Sequence, residues 1–296
     1  MSQRLLVISP VRNEANHIAR VARALAAQTR PPDAWLVIDD NSTDATPEIL
    51  AELAGQLPFM HVQSSSGAAR QVPDRLAVAA EACAFNAALS SMPWQTYTHI
   101  SKLDGDIELP PRYFELLLSE FAGDPSLGLA GGVLLEPSPA GWTLDPFPYD
   151  YHVRGALKCY SRPCFEAIGG IEERLGWDTI DEVYARMRGF KTRSLPELVG
   201  WHHRPLASAD GVLRGKVRYG KSFYMLHFPL PWVALRAIKT GFERPRGVSG
   251  LAFFGGYLQA VATGAPRVED PAYRRWVRRE LAGRMRAALG RRVRSL

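Results

Sequence analysis

Cysteine is scarce in this chain, with Cys83, Cys159 and Cys164 the only three among 296 residues. An odd number at no metal-ligating spacing excludes a disulfide framework and a cysteine-held zinc site, and it suits reduced, buried thiols in a cytosol. Long apolar runs are also missing. The stretch 223–242 is broken by His227, Pro229, Pro231, Arg236 and Lys239, and 248–265 carries Gln259 and several glycines, so neither is expected to span a bilayer. The segment after the first apolar run, Ser9-Pro-Val-Arg-Asn-Glu14, has no glycine. That counts against the glycine-rich phosphate cradle expected of a nucleotidyltransferase. Internal repeats and low-complexity tracts are absent. The opening Met-Ser-Gln-Arg-Leu-Leu-Val-Ile reads as a short buried strand rather than a signal peptide.

What is present is a soluble, globular composition, 46% hydrophobic and 22% charged. The net charge of +6 is unevenly spread: residues 267–296 hold ten arginines against Glu269, Asp270 and Glu280. The tail therefore carries +7 and the other residues −1. A nucleic-acid binder would spread cations over a docking face, so nucleic acid is not an expected partner. A neutral body with a basic tail suits an anionic membrane surface. Trp276, Val277, Leu281, Met285 and Leu289 lie near one helical face of that tail, among arginines. The pattern predicts an amphipathic helix for lipid, or one packed on the protein's own core or on a second copy in a homodimer.

The first 135 residues alternate between strand and helix patterns. Leu5–Ile8 and Trp35–Ile38 are short continuous apolar runs, as in strands buried on both faces of a parallel sheet. Ile18, Val21, Ala22 and Leu25 recur at helical spacing between them, and further helices are expected over 44–53, 74–89 and 112–121. Strands are expected at 59–62, 97–103 and 127–135. The result is an α/β, Rossmann-like, doubly wound and mostly parallel sheet spanning 1–205, with a helical C-terminal extension over 206–296 that ends in the basic tail. Residues 137–150, rich in proline and aromatics, read as an ordered or substrate-gated loop.

In such sheets ligands bind at the carboxyl ends of strands, where Asn13-Glu14, Asp39-Asp40 and Asp104-Gly-Asp106 all fall. Two carboxylates flanking Gly105 suit a hard divalent cation that keeps open positions for phosphate oxygens. Asp39, at a strand tip, can accept hydrogen bonds from a base N–H or a ribose hydroxyl. Asp40 to Asp44 also has the plain reading of a helix cap, and Glu14 that of a first-turn acid.

Pro10-Val-Arg-Asn13-Glu14, Val37-Ile-Asp39-Asp40-Asn41-Ser42-Thr43-Asp44 and Asp104-Gly-Asp106, in this order, resemble a family 2 glycosyltransferase of the GT-A fold over residues 4–205. The resemblance implies an inverting enzyme that moves a sugar from a nucleoside diphosphate donor (UDP-, GDP- or dTDP-linked) to an unidentified acceptor hydroxyl with Mn2+ or Mg2+. It implies cell-surface polysaccharide or glycolipid synthesis on the cytoplasmic side of a membrane. By resemblance Asp39 reads the base with Asp40 beside it, Pro10 and Glu14 belong to the donor loop, Asp106 is the direct metal ligand, and Asp104 touches ribose or a metal-bound water.

A second cluster runs from Gly169-Gly170 to Trp177-Asp178 and Asp181-Glu182. The family usually has Glu-Asp opening a helix here. Counting back from Gly189-Phe190 aligns Asp178 with that aspartate, Trp177 replaces the glutamate, and Asp181 one turn on is the rival general base. The third cluster, His202-His203-Arg204, follows a strand-like run. Either histidine can offer a neutral imidazole to the metal, and Arg204 a cation to the diphosphate. The Gln and Arg-Trp of processive synthases are missing, which argues for transfer of a single sugar. Arg70 and Arg75 are within sequence reach of the donor, and Lys102 has no assigned role. Two other readings stay open: a sugar-phosphate nucleotidyltransferase, and a catalytically silent scaffold binding nucleotide or membrane.

Overall fold

The computed structural model describes residues 3–65, 74–138, 141–144, 150–204 and 211–293, with side chains as far as 287. Two compact units emerge, Met1–Leu206 and Ala207–Leu296. The first contains β1 (Leu5–Val11), α1 (Ile18–Ala26), β2 (Ala34–Asp39), α2 (Thr46–Gln56), β3 (Met60–Ser64), α3 (Ala80–Ser90), β4 (His99–Leu103) and β5 (Ile107–Glu108). It continues with α4 (Tyr113–Gly123), β6 (Leu127–Ser138), β7 (Gly141–Leu144), β8 (Leu157–Ser161), α5 (Arg162–Ile168), α6 (Trp177–Met187) and β9 (Lys191–His202).

The strands form a nine-stranded sheet in the order β3-β2-β1-β4-β8-β6-β9-β5, with β7 paired to β6. The half β3-β2-β1-β4 is parallel, as the continuous apolar runs predict. Successive residues of β1 go to opposite faces: Leu5, Val7 and Val11 join one core with α1 and α4, and Leu6 and Ile8 another with α3 and Phe165. Ile18, Val21, Ala22 and Leu25 are the buried stripe of α1. Beyond β4 the sheet turns mixed. β8 runs antiparallel between β4 and β6, and β6 returns parallel beside β9. The sequence does not announce β8, because Lys158 interrupts its apolar pattern. At the crowded centre, a Cβ on Gly132 of β6 would stand 2.1 Å from the Leu198 carbonyl oxygen, so only glycine fits.

The helix expected from residue 74 starts only at Ala80, because Ala79 sits at φ 49° and closes a turn over 75–79. Residues 66–73, including Arg70, lie outside the described residues, as do 139, 140 and 145–149 of the proline-rich segment. Its remaining part, Gly141–Leu144, is an exposed hairpin strand on β6.

The second unit is helical: α7 (Val212–Met225), α8 (Leu230–Gly241), α9 (Val248–Ala262) and α10 (Pro271–Val293). Phe223, Val233, Phe253 and Tyr257 form its core. In α10, Tyr273, Val277 and Leu281 are buried. Of the expected apolar face, Val277 and Leu281 are thus covered inside the chain, Trp276 and Met285 are half-buried and the side chain of Leu289 lies outside the described ones, while Arg274, Arg275, Arg278 and Arg279 stay outside. No helix among the described residues is long and apolar enough to cross a membrane.

Candidate active site

The carboxyl ends of β1, β2 and β4 carry the three acidic motifs to one edge of the parallel half. Two loops there brace each other. Asn13 and Asn41 both take left-handed backbone, at φ 55° and 59°, which asparagine tolerates best among non-glycine residues. Asn13 Oδ1 accepts from the Thr43 amide at 2.8 Å, and the amides of Asn13 and Glu14 donate to Ser42 Oγ and Thr46 Oγ1 at 2.9 and 2.8 Å. Ser42 to Asp44, readable in sequence as a plain helix cap, also holds the first loop in place. Pro10 lies in β1 opposite Ile38. Asp39 is nearly buried, and its Oδ1 accepts from Ser42 Oγ at 2.5 Å and from the Ser42 amide at 3.2 Å. The Arg75 guanidinium is ion-paired with the Asp40 carboxylate, and Arg12 Nη1 donates to the Asp40 carbonyl oxygen at 2.8 Å.

Asp106 is the centre of the site. Its Oδ2 lies 3.4 Å from His202 Nε2 and 3.6 Å from Arg204 Nε. Arg204 Nη2 also donates to Glu14 Oε2 at 2.6 Å, joining residues 190 positions apart. Gly105 is required by the close approach of β1, since a Cβ there would meet Val11 Cγ1 at 2.8 Å. His202 Nδ1 faces Glu136 Oε1 at 3.6 Å. Burial opposes the charge on His202, but Asp106 and Glu136 outweigh it and raise the imidazole to about 9.

His203 is directed elsewhere: Nε2 meets Glu108 Oε2 and Nδ1 meets Arg20 Nη1, both at 2.7 Å. It stacks on His17 and receives the edge of Trp142. Of the two histidines, His202 is therefore the one that faces Asp106. Glu108, Glu136 and His17 had not been singled out in the sequence. Alternation gives a faint signal for Glu108, two residues beyond Asp106 in extended chain, whereas Glu136 and His17 arrive by sheet and helix packing alone.

Asp104 accepts from Lys102, which is fully buried and lies 3.7 Å from Glu81 Oε2. Burial pushes Asp104 up to about 6 against the pull of Lys102. Burial, followed by the nearby Asp106 carboxylate, pushes Glu14 up to about 8 in spite of Arg204. The Asp106 carboxylate thus acts on both neighbours, adding to the rise of Glu14 and of His202.

The start of α6 separates the two candidate bases. Asp181 is 2% exposed; both its oxygens accept from Lys158 Nζ, at 2.8 and 2.9 Å, and Oδ2 accepts from Tyr160 OH at 2.5 Å. Glu182 is equally buried, bonded to the Val153 amide and to His152. Burial opposes its ionisation, yet His152, Lys158 and Arg186 together hold it at about 2. Asp178 is partly exposed, and among the described residues its carboxylate has no hydrogen-bond partner, while its carbonyl oxygen accepts from Lys158. Trp177 donates to Glu81 Oε1 at 3.0 Å. Its ring lies 5.2 Å from the Lys102 ammonium and 5.5 Å from that of Lys158, the two lysines opposite each other on the β4–β8 ladder. A tryptophan at this position offers its π face to both buried ammonium groups.

Among the described residues no three His, Cys, Asp or Glu side chains are gathered as a ready metal cage. The donor set nevertheless fits a hard divalent cation. Asp106 supplies an oxygen and His202, once a cation displaces its proton, a nitrogen, and the buried Glu136 Oε1 and His202 Nδ1 have no hydrogen-bond partner among the described residues. A cation held by so few protein groups takes its remaining ligands from water or phosphate.

Residues 6–72 match the model of Glycosyl transferase family 2. A comparison with curated proteins gave no match. Among solved structures, the chain is similar to the mannosyltransferase PcManGT from Pyrobaculum calidifontis in complex with GDP-Man and Mn2+, at 20% identity and a TM-score of 0.57, over 94% of this chain and 84% of that one. It is also similar to S. aureus TarS 1–349 in complex with UDP, at 12% identity and a TM-score of 0.55, over 88% of this chain and 72% of that one. The same TarS segment in complex with UDP-GlcNAc matches at 12% identity and a TM-score of 0.54, over 88% of this chain and 73% of the other. At this identity the likeness concerns architecture: the chain has the GT-A fold, a curled α/β sheet with helices on both faces, followed by a helical C-terminal portion.

Proposed function

We propose that this chain is an inverting, metal-dependent glycosyltransferase that moves a sugar from a nucleoside diphosphate donor to an acceptor hydroxyl. The observation that carries the reading is the cluster of buried Asp106, His202 and Glu14 with half-buried Arg204 at the carboxyl ends of the parallel strands, with Asp39 at the neighbouring strand tip. The family-model match and the donors named in the similar structures, GDP-Man, UDP and UDP-GlcNAc, support a nucleotide sugar.

Asp39 accepts a hydrogen bond from the base or ribose, and the loop of Pro10 and Glu14 closes that side of the donor. Arg75 holds Asp40 beside it. Asp106 and His202, with Asp104 close by, would hold Mn2+ or Mg2+, which would supply positive charge to offset that of the departing nucleoside diphosphate. Arg204 donates to a phosphate oxygen. Asp178 takes the proton of the acceptor hydroxyl as that oxygen attacks the anomeric carbon from the face opposite the diphosphate, which inverts the centre. Asp181 is tied to Lys158 and Tyr160, so it anchors the helix that presents Asp178. The product belongs to cell-surface polysaccharide or glycolipid, made on the cytoplasmic side of a membrane.

The test is hydrolysis of UDP-, GDP- and dTDP-sugars in the presence of Mn2+ or Mg2+, with donor binding followed by thermal shift. Asp106→Asn is expected to lower the rate by about 100-fold or more. An unchanged rate refutes the metal-site reading.

A further inference from the structure

We infer that the solvent-facing side of α8 and α9 is a docking surface for an anionic lipid bilayer. α9 is apolar around its whole circumference, a pattern normally found in helices covered on all sides. Only one half is covered: Gly250, Phe253, Gly256 and Tyr257 are buried within the second unit. On the other half Leu251 is 74% exposed, with Leu258 and Val261 also exposed. α8 packs beside α9 and adds Leu235, Ile238 and, just past its end, Phe242, which is 77% exposed. Large apolar side chains are thus exposed repeatedly along both helices, whereas exposed apolar residues on a monomer's surface are ordinarily scattered singly.

The charge around this surface selects the occupant. Between residues 226 and 268 the only acid is Glu243, which is ion-paired with Lys216. Exposed Lys239, Arg244 and Arg246 flank Phe242. α10, with Tyr273, Val277 and Leu281 buried, adds outward arginines and, among the described side chains, no exposed large apolar one. Stable attachment to lipid takes two signals, an apolar insertion and a basic patch, and α8, α9 and the turn between them carry both. A second copy set against this face would oppose cations to cations, whereas anionic headgroups neutralise them. The helices would lie in the plane of the interface, which agrees with the absence of a spanning helix among the described residues.

Vesicle flotation of the full chain tests the inference without donor or acceptor, so the result stands apart from the glycosyltransfer reading. The chain should float with phosphatidylcholine vesicles containing phosphatidylglycerol, and at least about tenfold less with phosphatidylcholine alone. Arg244→Gln with Arg246→Gln should weaken that binding about fivefold per cation removed. Phe242→Ser with Leu251→Ser alters exposed positions only and should abolish flotation while the melting temperature holds. Wild-type flotation by this double variant overturns the inference. So does loss of binding on Arg274→Gln with Arg278→Gln alone, or a solution dimer that Phe242→Ser with Leu251→Ser converts to a monomer while the vesicles bind nothing.

Discussion

Lys158→Met probes the buried charges beneath α6. Lys158 is fully buried, and its ammonium meets both Asp181 oxygens at 2.8 and 2.9 Å and Glu182 at 3.3 Å. Methionine keeps the aliphatic stem and nearly the same volume, so the exchange isolates the charge. Asp181 is then left in the interior with donors from Tyr160 and the Glu182 amide but no cation in contact. Removing one partner of a buried pair costs about 3–5 kcal/mol. The donors that remain to Asp181, Tyr160 OH and the Glu182 amide, set the expectation at the low end, about 3 kcal/mol. For a unit of this size that lowers Tm by about 6–12 °C.

The pH dependence sharpens the test. Burial already pushes Asp181 above the usual carboxylate range against the pull of Lys158. Without the lysine, the folded state holds a proton there at pH values where the unfolded state has released it. The variant's deficit should therefore shrink on acidification, by about 1.4 kcal/mol per pH unit while Asp181 titrates. Guanidinium and thermal melts of both proteins between pH 5 and 8 measure it. A loss under about 1 kcal/mol, or a deficit that widens as pH falls, refutes the reasoning.

Asp178→Asn should lower transfer to acceptor by roughly 100-fold or more while donor binding, read by thermal shift, is unchanged; a full rate would remove Asp178 as the base. His99 is buried against Phe121, and burial lowers its imidazole from 6.5 to about 4. The unfolded chain takes up that proton first, so the contribution of His99 is fully present above pH 6.5 and is lost toward pH 4, in all about 3 kcal/mol. His99→Phe should flatten that part of the stability profile, measured by melts across the same range, and an unaltered slope would count against it.

The parallel half of the sheet was legible from local pattern. The runs at Leu5 and Trp35 and the helical spacing of Ile18 to Leu25 encode buried strands and an amphipathic helix within a few residues of chain. The acidic motifs were legible for the same reason, since each sits directly after an apolar run. β8 was not, because its burial depends on Lys158 finding Asp181 and Glu182 from another element. The late start of α3 was hidden too, being set by a turn that carries Arg75 to Asp40.

The sequence by itself therefore determined the fold class, the strand ends at which Asp39 and the Asp104–Asp106 pair stand, and the position of the basic tail, all of which follow from periodicity and spacing. Tertiary structure decided which histidine faces Asp106, that Arg204 reaches Glu14, that Asp181 is anchored by Lys158 while Asp178 stays open, and that Val277 and Leu281 of the tail are buried while α8 and α9 keep large apolar side chains exposed. Each of these depends on which distant side chain completes a charge or covers a surface, and spacing along the chain carries no information about that.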